Sequence, residues 1–462
     1  MMKNNLKYLF PLVAGFSGTV MAQSTTANLP NVVYIMADDL GIGDLGCYGQ
    51  RQIKTVNIDG IAQNGMKFMQ HYSGATVSAP SRCALLTGKH MGHAAIRGND
   101  KVEGSDGLLY ETPLPAEEKT VADVFKSRGY ATGCIGKWGL GGPGTEGMPN
   151  KHAFDYFYGY LGQRFAHSYY PEFLHENDEK IMLNGKFYSH DLMLEKALNF
   201  IDKNKATPFF LYFSPTLPHA DLDIMDKEMK KYEGEFCETP FGGRGYKEQR
   251  NPRAAYAAMV TYLDHSVGLI INKLKEEGLY ENTIIIFTSD NGVHAEGGHD
   301  PDYFDSNGPF RGHKRDLYEG GIRTPFVVQW PGVIPAGVIT DHISAFWDFL
   351  PTISDLLQTK SPQGINGISY LPALTGKGKQ KKHDYIYYEF FEAGGKQSIM
   401  NLDGWKLIRL EVSTPSKTYE ELYNIYRDPA ETTNVIRQYP EIAKKLKEKI
   451  ESQRTENSHF HF

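Results

Sequence analysis

Asn31-Val32-Val33-Tyr34-Ile35-Met36-Ala37 runs without a break into Asp38-Asp39. A continuous apolar segment rich in β-branched residues predicts a strand buried on both faces of a parallel sheet, and here it stops abruptly at two carboxylates. Similar runs occupy 132–135, 209–213, 283–287 and 326–328. Between them lie helical patterns. The clearest follows Asn251-Pro252 and carries Tyr256, Val260, Leu263, Val267, Ile270 and Leu274 before Gly278, with a proline suited to a first turn and a glycine suited to a stop. Another spans about 120–127. Strands alternating with helices predict a large doubly wound mixed α/β sheet flanked by helices, whose chemistry belongs at the carboxyl ends of the strands.

The texture changes near residue 371. Gly376-Lys377-Gly378-Lys379-Gln380-Lys381-Lys382 reads as a solvated linker, and the segments 385–391, 398–400, 405–410 and 422–426 read as short antiparallel strands closed by an amphipathic helix over 442–450. The expected organisation is a signal peptide over 1–22, a catalytic α/β domain over 23–370 and a smaller C-terminal antiparallel-sheet-plus-helix subdomain over 371–462. The signal expectation rests on Lys3 and Lys7 before an apolar run over 8–20, with Val20-Met21-Ala22 offering small residues for cleavage. That run is too short to span a bilayer, so no membrane span is expected after cleavage. Localisation is expected to be exported, periplasmic or secreted.

The formal net charge of -6 argues against a broad basic surface for nucleic acid, so an anionic ligand must meet a local cluster of cations. Four cysteines, Cys47, Cys83, Cys134 and Cys237, are too few for a disulfide scaffold and show no metal-ligand spacing; at most one or two bridges are expected. Oligomeric state has no signal in the sequence.

Polar residues at strand ends carry the chemistry. Asp38-Asp39 follow the first strand and Asp290-Asn291 follow the run 283–287. Either pair alone would be an ordinary cap or turn. Together at two ends of one sheet they offer three carboxylates and an amide oxygen, a set that suits a hard cation such as Ca2+ or Mg2+ better than zinc. In Ser78-Ala79-Pro80-Ser81-Arg82-Cys83-Ala84-Leu85-Leu86-Thr87-Gly88, the proline places Ser78 at a helix start, where free amides and the dipole favour an anion, with Arg82 a turn further on.

This segment resembles the signature of the type I sulfatases of the alkaline phosphatase superfamily, which reads Cys or Ser, any residue, Pro, any residue, Arg, and later Leu-Thr-Gly. The resemblance extends to Ala37-Asp38-Asp39-Leu40-Gly41, Gly136-Lys137-Trp138, Pro218-His219, Thr288-Ser289-Asp290-Asn291-Gly292, Glu319-Gly320-Gly321-Ile322-Arg323-Thr324-Pro325 and Leu422-Tyr423-Asn424. It implies that Ser78 is oxidised to formylglycine by an anaerobic sulfatase-maturating enzyme before export, that one Ca2+ sits on Asp38, Asp39, Asp290 and Asn291, and that Arg82, Lys137 and Lys314 hold the sulfuryl charge. His219 would protonate the leaving oxygen. Where the commonest family pattern reads Gly-Lys-Trp-His-Leu-Gly, this chain has Gly136-Lys137-Trp138-Gly139-Leu140-Gly141. His167, with His313 as the alternative, is the expected substitute for the missing histidine.

The implied substrate is a sulfated carbohydrate, with galactose or N-acetylgalactosamine sulfate as the expected class. Arg97, Asn99, His313, Asp300, Asp302 and Tyr169 are candidate sugar contacts, and Tyr170, Tyr303 and Trp138 candidate stacking platforms. Two rivals stand beside this reading. A phosphomonoester or phosphodiester hydrolase on the same fold would draw on His294 and His299 for a second metal, and a sulfated-glycan binding protein would keep Ser78 unmodified.

Overall fold

The computed structural model describes Met1 and residues 29–462; the expected signal segment lies outside the described residues. Ten strands form one mixed sheet. Its centre is parallel: Asn31–Ala37 lies between Phe209–Ser214 and Thr283–Ser289, and Ala131–Lys137 and Tyr156–Tyr160 continue the sheet on one side. Phe326–Gln329 adds an antiparallel strand on the other. Every residue of Asn31–Ala37, Phe209–Ser214 and Thr283–Ser289 is buried, as the unbroken apolar runs require.

Two apolar layers cover the sheet. Trp138, Phe349 and Leu350, with the helix Ser78–Thr87, pack on one face, while the helix Pro252–Glu276 packs on the other through Tyr256, Val260, Leu263, Val267 and Ile270. That helix is long and apolar enough to cross a membrane by composition, yet it is largely buried in the core. All four cysteines are free thiols, so neither of the bridges that the sequence left possible is formed and the core holds the fold.

The C-terminal part is a four-stranded antiparallel sheet, Tyr385–Phe390, Lys396–Asn401, Trp405–Leu410 and Tyr419–Asn424, covered by the helix Pro440–Ser452 through Ala443, Leu446 and Ile450. Buried ionic links tie it to the rest. Lys406 reaches Glu319 at 2.8 Å and Glu431 at 2.9 Å. His383, just before the sheet, meets Asp348 at 2.8 Å.

Burial works against a charged His383, but Asp348 outweighs it and raises the imidazole above its ordinary range. A raised folded-state pKa means that the folded chain holds this proton more tightly. The stabilisation is fully present below the unfolded histidine value and is lost as pH rises through the folded one. His383→Ala is therefore expected to destabilise by on the order of 3 kcal/mol in mildly acidic buffer, with a smaller deficit at pH 9. Thermal melts of both proteins at the two pH values check it; a deficit that grows at pH 9 would refute the assignment.

Candidate active site

Register brings the polar residues together. Ala37 pairs with Ser289, and Gly136 with Ser214, so these parallel strands end at one edge: Asp38 and Asp290 leave adjacent strands, and Lys137 ends a strand one further on, beyond Phe209–Ser214. Asp39 adopts a left-handed conformation, φ 61°, which turns the chain out of the strand. Its amide donates to Asp290 Oδ1 at 3.0 Å, and the Leu40 amide donates to Ser289 Oγ at 2.8 Å.

The helix Ser78–Thr87 begins at Ser78, with Pro80 in its first turn, and ends at Gly88 in a left-handed cap, φ 71°. Ser78 Oγ donates to Asp38 Oδ1 at 3.1 Å and accepts from Lys137 Nζ at 3.2 Å. Lys137 also pairs with Asp38 Oδ2 at 2.6 Å. Arg82 is fully buried, 3.0 Å from Asp290 Oδ2, and donates to the Lys137 carbonyl at 2.8 Å. Lys314 meets Asp39 Oδ2 at 2.7 Å. Three carboxylates thus face three cations, and Glu296, which bonds Lys314 at 3.2 Å, is matched by Arg315.

Burial pushes the Asp290 carboxyl up and Asp38 adds to this, while Arg82 and Lys137 oppose it. Lys314 stays above its ordinary range because Asp39 and Glu296 overcome the cost of burial. Two histidines go the other way. Burial, Lys314 and Lys137 hold His219 well below its usual value, and burial, Lys137 and Lys314 lower His167 to about 3. The two rings stack with centroids 4.8 Å apart. His219 Nδ1 faces the Ala220 carbonyl, which leaves Nε2 to accept from Lys314 Nζ at 3.1 Å.

The donor set fits a hard cation. Asp38, Asp39 and His219 present ligand atoms within 4.8 Å of one another. Asn291 Oδ1 is buried without a hydrogen-bond partner, while its amide nitrogen holds Asp39 Oδ1 at 2.6 Å. An orphaned amide oxygen beside buried carboxylates is the polar atom an oxygen-seeking ion would satisfy. No second such cluster occurs among the described residues: His299 stacks on Tyr256 at 3.5 Å, and His294 Nε2 faces the Pro218 carbonyl.

A cavity of about 410 Å³ opens over Ser78, lined among others by Asn99, Lys101, Gln163, Arg164, His167, His219, Tyr246 and Lys314. Three expected sugar contacts are corrected by their surroundings. Arg97 is buried against Glu389 at 2.9 Å and Thr455. Tyr169 is fully buried, its hydroxyl donating to the carbonyls of Thr216 and His219, so it braces the His219 loop. Asp300 pairs with Arg253 at 2.7 Å. Asp302 and His313 also lie outside the cavity lining. Of the expected platforms, Trp138 is buried with its indole N–H on the Gly147 carbonyl, Tyr303 carries the Arg253 guanidinium, and Tyr170 packs against Tyr188. Lys101, Glu111, Gln163, Arg164, Tyr246, Glu296 and Arg315 were not singled out in sequence, because they sit on loops or, for Lys101 and Glu111, at the ends of two short strands, without a motif.

Comparison with known proteins decides the family. The sulfatase family model matches residues 30–359. The chain belongs to the sulfatase family. A second model, of the N-sulphoglucosamine sulphohydrolase C-terminal region, matches 309–456. Human arylsulfatase D is 30% identical over 451 residues, covering 80% of this chain and 72% of that protein; canine N-acetylgalactosamine-6-sulfatase is 31% identical, covering 78% and 68%. Among solved structures, Ps i-CgsB in complex with k-i-k-neocarrahexaose superposes with a TM-score of 0.79 at 29% identity, covering 94% and 95%. BT33336S-sulf, from work on glycosaminoglycan metabolism in Bacteroides thetaiotaomicron, gives 0.75 at 26%, covering 92% and 99%. This sulfatase is a sulfuric ester hydrolase of the type I class in the alkaline phosphatase superfamily, a family whose members typically carry a metal and formylglycine.

A divalent ion that binds only the folded site raises thermal stability by mass action. Millimolar Ca2+ is expected to raise the melting temperature of this sulfatase by several degrees and a chelator to reverse it, with the shift absent in Asp290→Ala. An equal Ca2+ shift in that variant would place the ion elsewhere.

Proposed function

We propose that this sulfatase is exported and removes O-sulfate from a sulfated glycan carrying galactose or N-acetylgalactosamine sulfate, with its nucleophile made from Ser78. The observation that carries the reading is the position of Ser78 Oγ between Asp38 and Lys137 at the floor of the cleft. Asp38, Asp39, Asp290 and Asn291 would hold Ca2+. Oxidised and hydrated to a diol, Ser78 would supply the attacking oxygen, and Ca2+ held by those four residues would supply positive charge.

The rest is the work of the chain. With three carboxylates already balanced by Arg82, Lys137 and Lys314, a bound divalent ion leaves the site net positive, which selects an anionic ester. Lys314 and His219, 3.1 Å apart, hold between them the proton that the departing sugar oxygen takes up. An anionic ester offsets part of the lysine charge that, after burial, depresses His219 and His167; His167, in the cavity lining, accepts the proton given up before sulfate leaves. Lys101 and Arg164 at the cavity wall have no carboxylate within ion-pair reach among the described residues, which suits a polyanionic glycan. The names of the sulfated-carbohydrate relatives support the same class.

Ser78 is only 5% exposed and every residue of its helix is buried. A maturating enzyme therefore needs the unfolded chain, which agrees with oxidation before export. Mass spectrometry of active protein is expected to show the Ser78 peptide lighter by about two mass units, the change from alcohol to aldehyde. Intact serine in protein that turns over substrate would sink this mechanism; intact serine in inactive protein with glycan affinity would leave a binding protein.

Release of sulfate from a panel of monosulfated sugars identifies the substrate. His219→Ala is expected to slow desulfation of a sugar alcohol by roughly 100-fold, but that of nitrophenyl sulfate much less, since a nitrophenolate leaves without a proton. Equal losses on both substrates would reassign His219.

A further inference from the structure

Gly139 stands where the commonest sulfatase pattern has histidine, and the structure shows what fills the gap. Its backbone is left-handed, φ +73°, and a β-carbon built there would lie 2.3 Å from Gln163 Nε2. The volume a side chain at 139 would enter is already taken by the Gln163 amide. Gln163 is held from behind, its backbone N–H donating to Glu111 Oε2 at 2.9 Å. The residue lines the cavity that contains Ser78, His167, His219 and Lys314. Its Nε2 is buried and has no acceptor in the protein. A buried amide without a partner is costly unless an occupant of the cleft supplies an oxygen.

We infer that Gln163 Nε2 donates a hydrogen bond to an oxygen of the sulfate ester, from the volume left open by Gly139. The inference rests on the sulfate-ester reading of this cleft. It separates two duties that one histidine could combine. The amide binds and orients the anion but neither takes nor gives a proton, so acid–base work stays with His219, Lys314 and His167. It also accounts for glycine at 139. Any side chain there would be strained at a positive φ and would push the amide off its position.

The test uses oxidised, metal-loaded protein and a sulfated sugar that the wild type hydrolyses. Gln163→Ala is expected to lower kcat/KM roughly 10- to 100-fold, the range for losing one hydrogen bond to a charged group, and to weaken competitive inhibition by inorganic sulfate in step. Gln163→Glu, equal in size, is expected to be worse, because a carboxylate would face the anion. Gly139→Ala should reduce activity in the wild type yet cost little more in Gln163→Ala, because its main effect is to displace the amide. A Gln163→Glu variant with wild-type kinetics, or a Gln163→Ala variant within twofold of wild type, would reduce Gln163 to a filler and overturn the inference. If wild-type protein released no sulfate from any ester, the functional reading would fall. Calorimetric titration with inorganic sulfate would still decide Gln163: tighter binding to wild type than to both variants supports it, and equal binding refutes it.

Discussion

The site depends on the balance of three buried carboxylates against three buried cations at one edge of the sheet. Asp38, Asp39 and Asp290 emerge where parallel strands stop in register, and alone they would repel one another in a medium that screens poorly. Arg82, Lys137 and Lys314 each meet one of them within 3.0 Å. Each cation comes from a different element: the helix that begins at Ser78, the strand Ala131–Lys137 two places across the sheet from Asn31–Ala37, and a loop far along the chain. Charge balance therefore couples folding to assembly of the site, because no single segment can bury its acid before the others arrive.

The C-terminal sheet acts on the same balance from a distance. Glu319 accepts Lys406 at 2.8 Å and the Arg323 guanidinium at 2.7 Å, and it takes a hydrogen bond from Tyr72 at 2.8 Å. Although burial opposes its ionisation, Lys406 and Arg323 hold Glu319 down at about 2. Two residues on, the Gly321 carbonyl accepts the Gly292 amide, next to Asn291. An ionic anchor between the two sheets thus steadies the loops that carry Lys314 and Asn291, which gives the Glu319-Gly320-Gly321 run a mechanical role.

The strand cores and the long helix were legible because their signals are local. An unbroken β-branched run leaves a strand no solvent face, and the spacing from Tyr256 to Leu274 makes one apolar stripe on a helix. That Ser78, Arg82, Asp38, Asp39, Asp290 and Asn291 belong to one cluster was legible for a different reason: they stand in short motifs at the ends of those elements. The sugar contacts were less so. Arg97 and Tyr169 looked like cleft residues by position, but both are buried and hydrogen-bonded inside the fold. Cleft residues such as Gln163, Arg164 and Tyr246 come from loops whose path depends on what they pack against.

By itself the sequence determined the sheet, the family motifs, the acid and cation inventory and the gap at Gly139. These depend on periodicity and on the chemistry of side chains at fixed spacing. Only the tertiary structure decided which acid meets which cation, that Asn291 keeps an oxygen unpartnered, and that Gln163 fills the space beside Gly139. Residues that touch across gaps of 24 to more than 250 positions in the chain leave no periodic trace, and their contacts exist only once the strands have fixed their register.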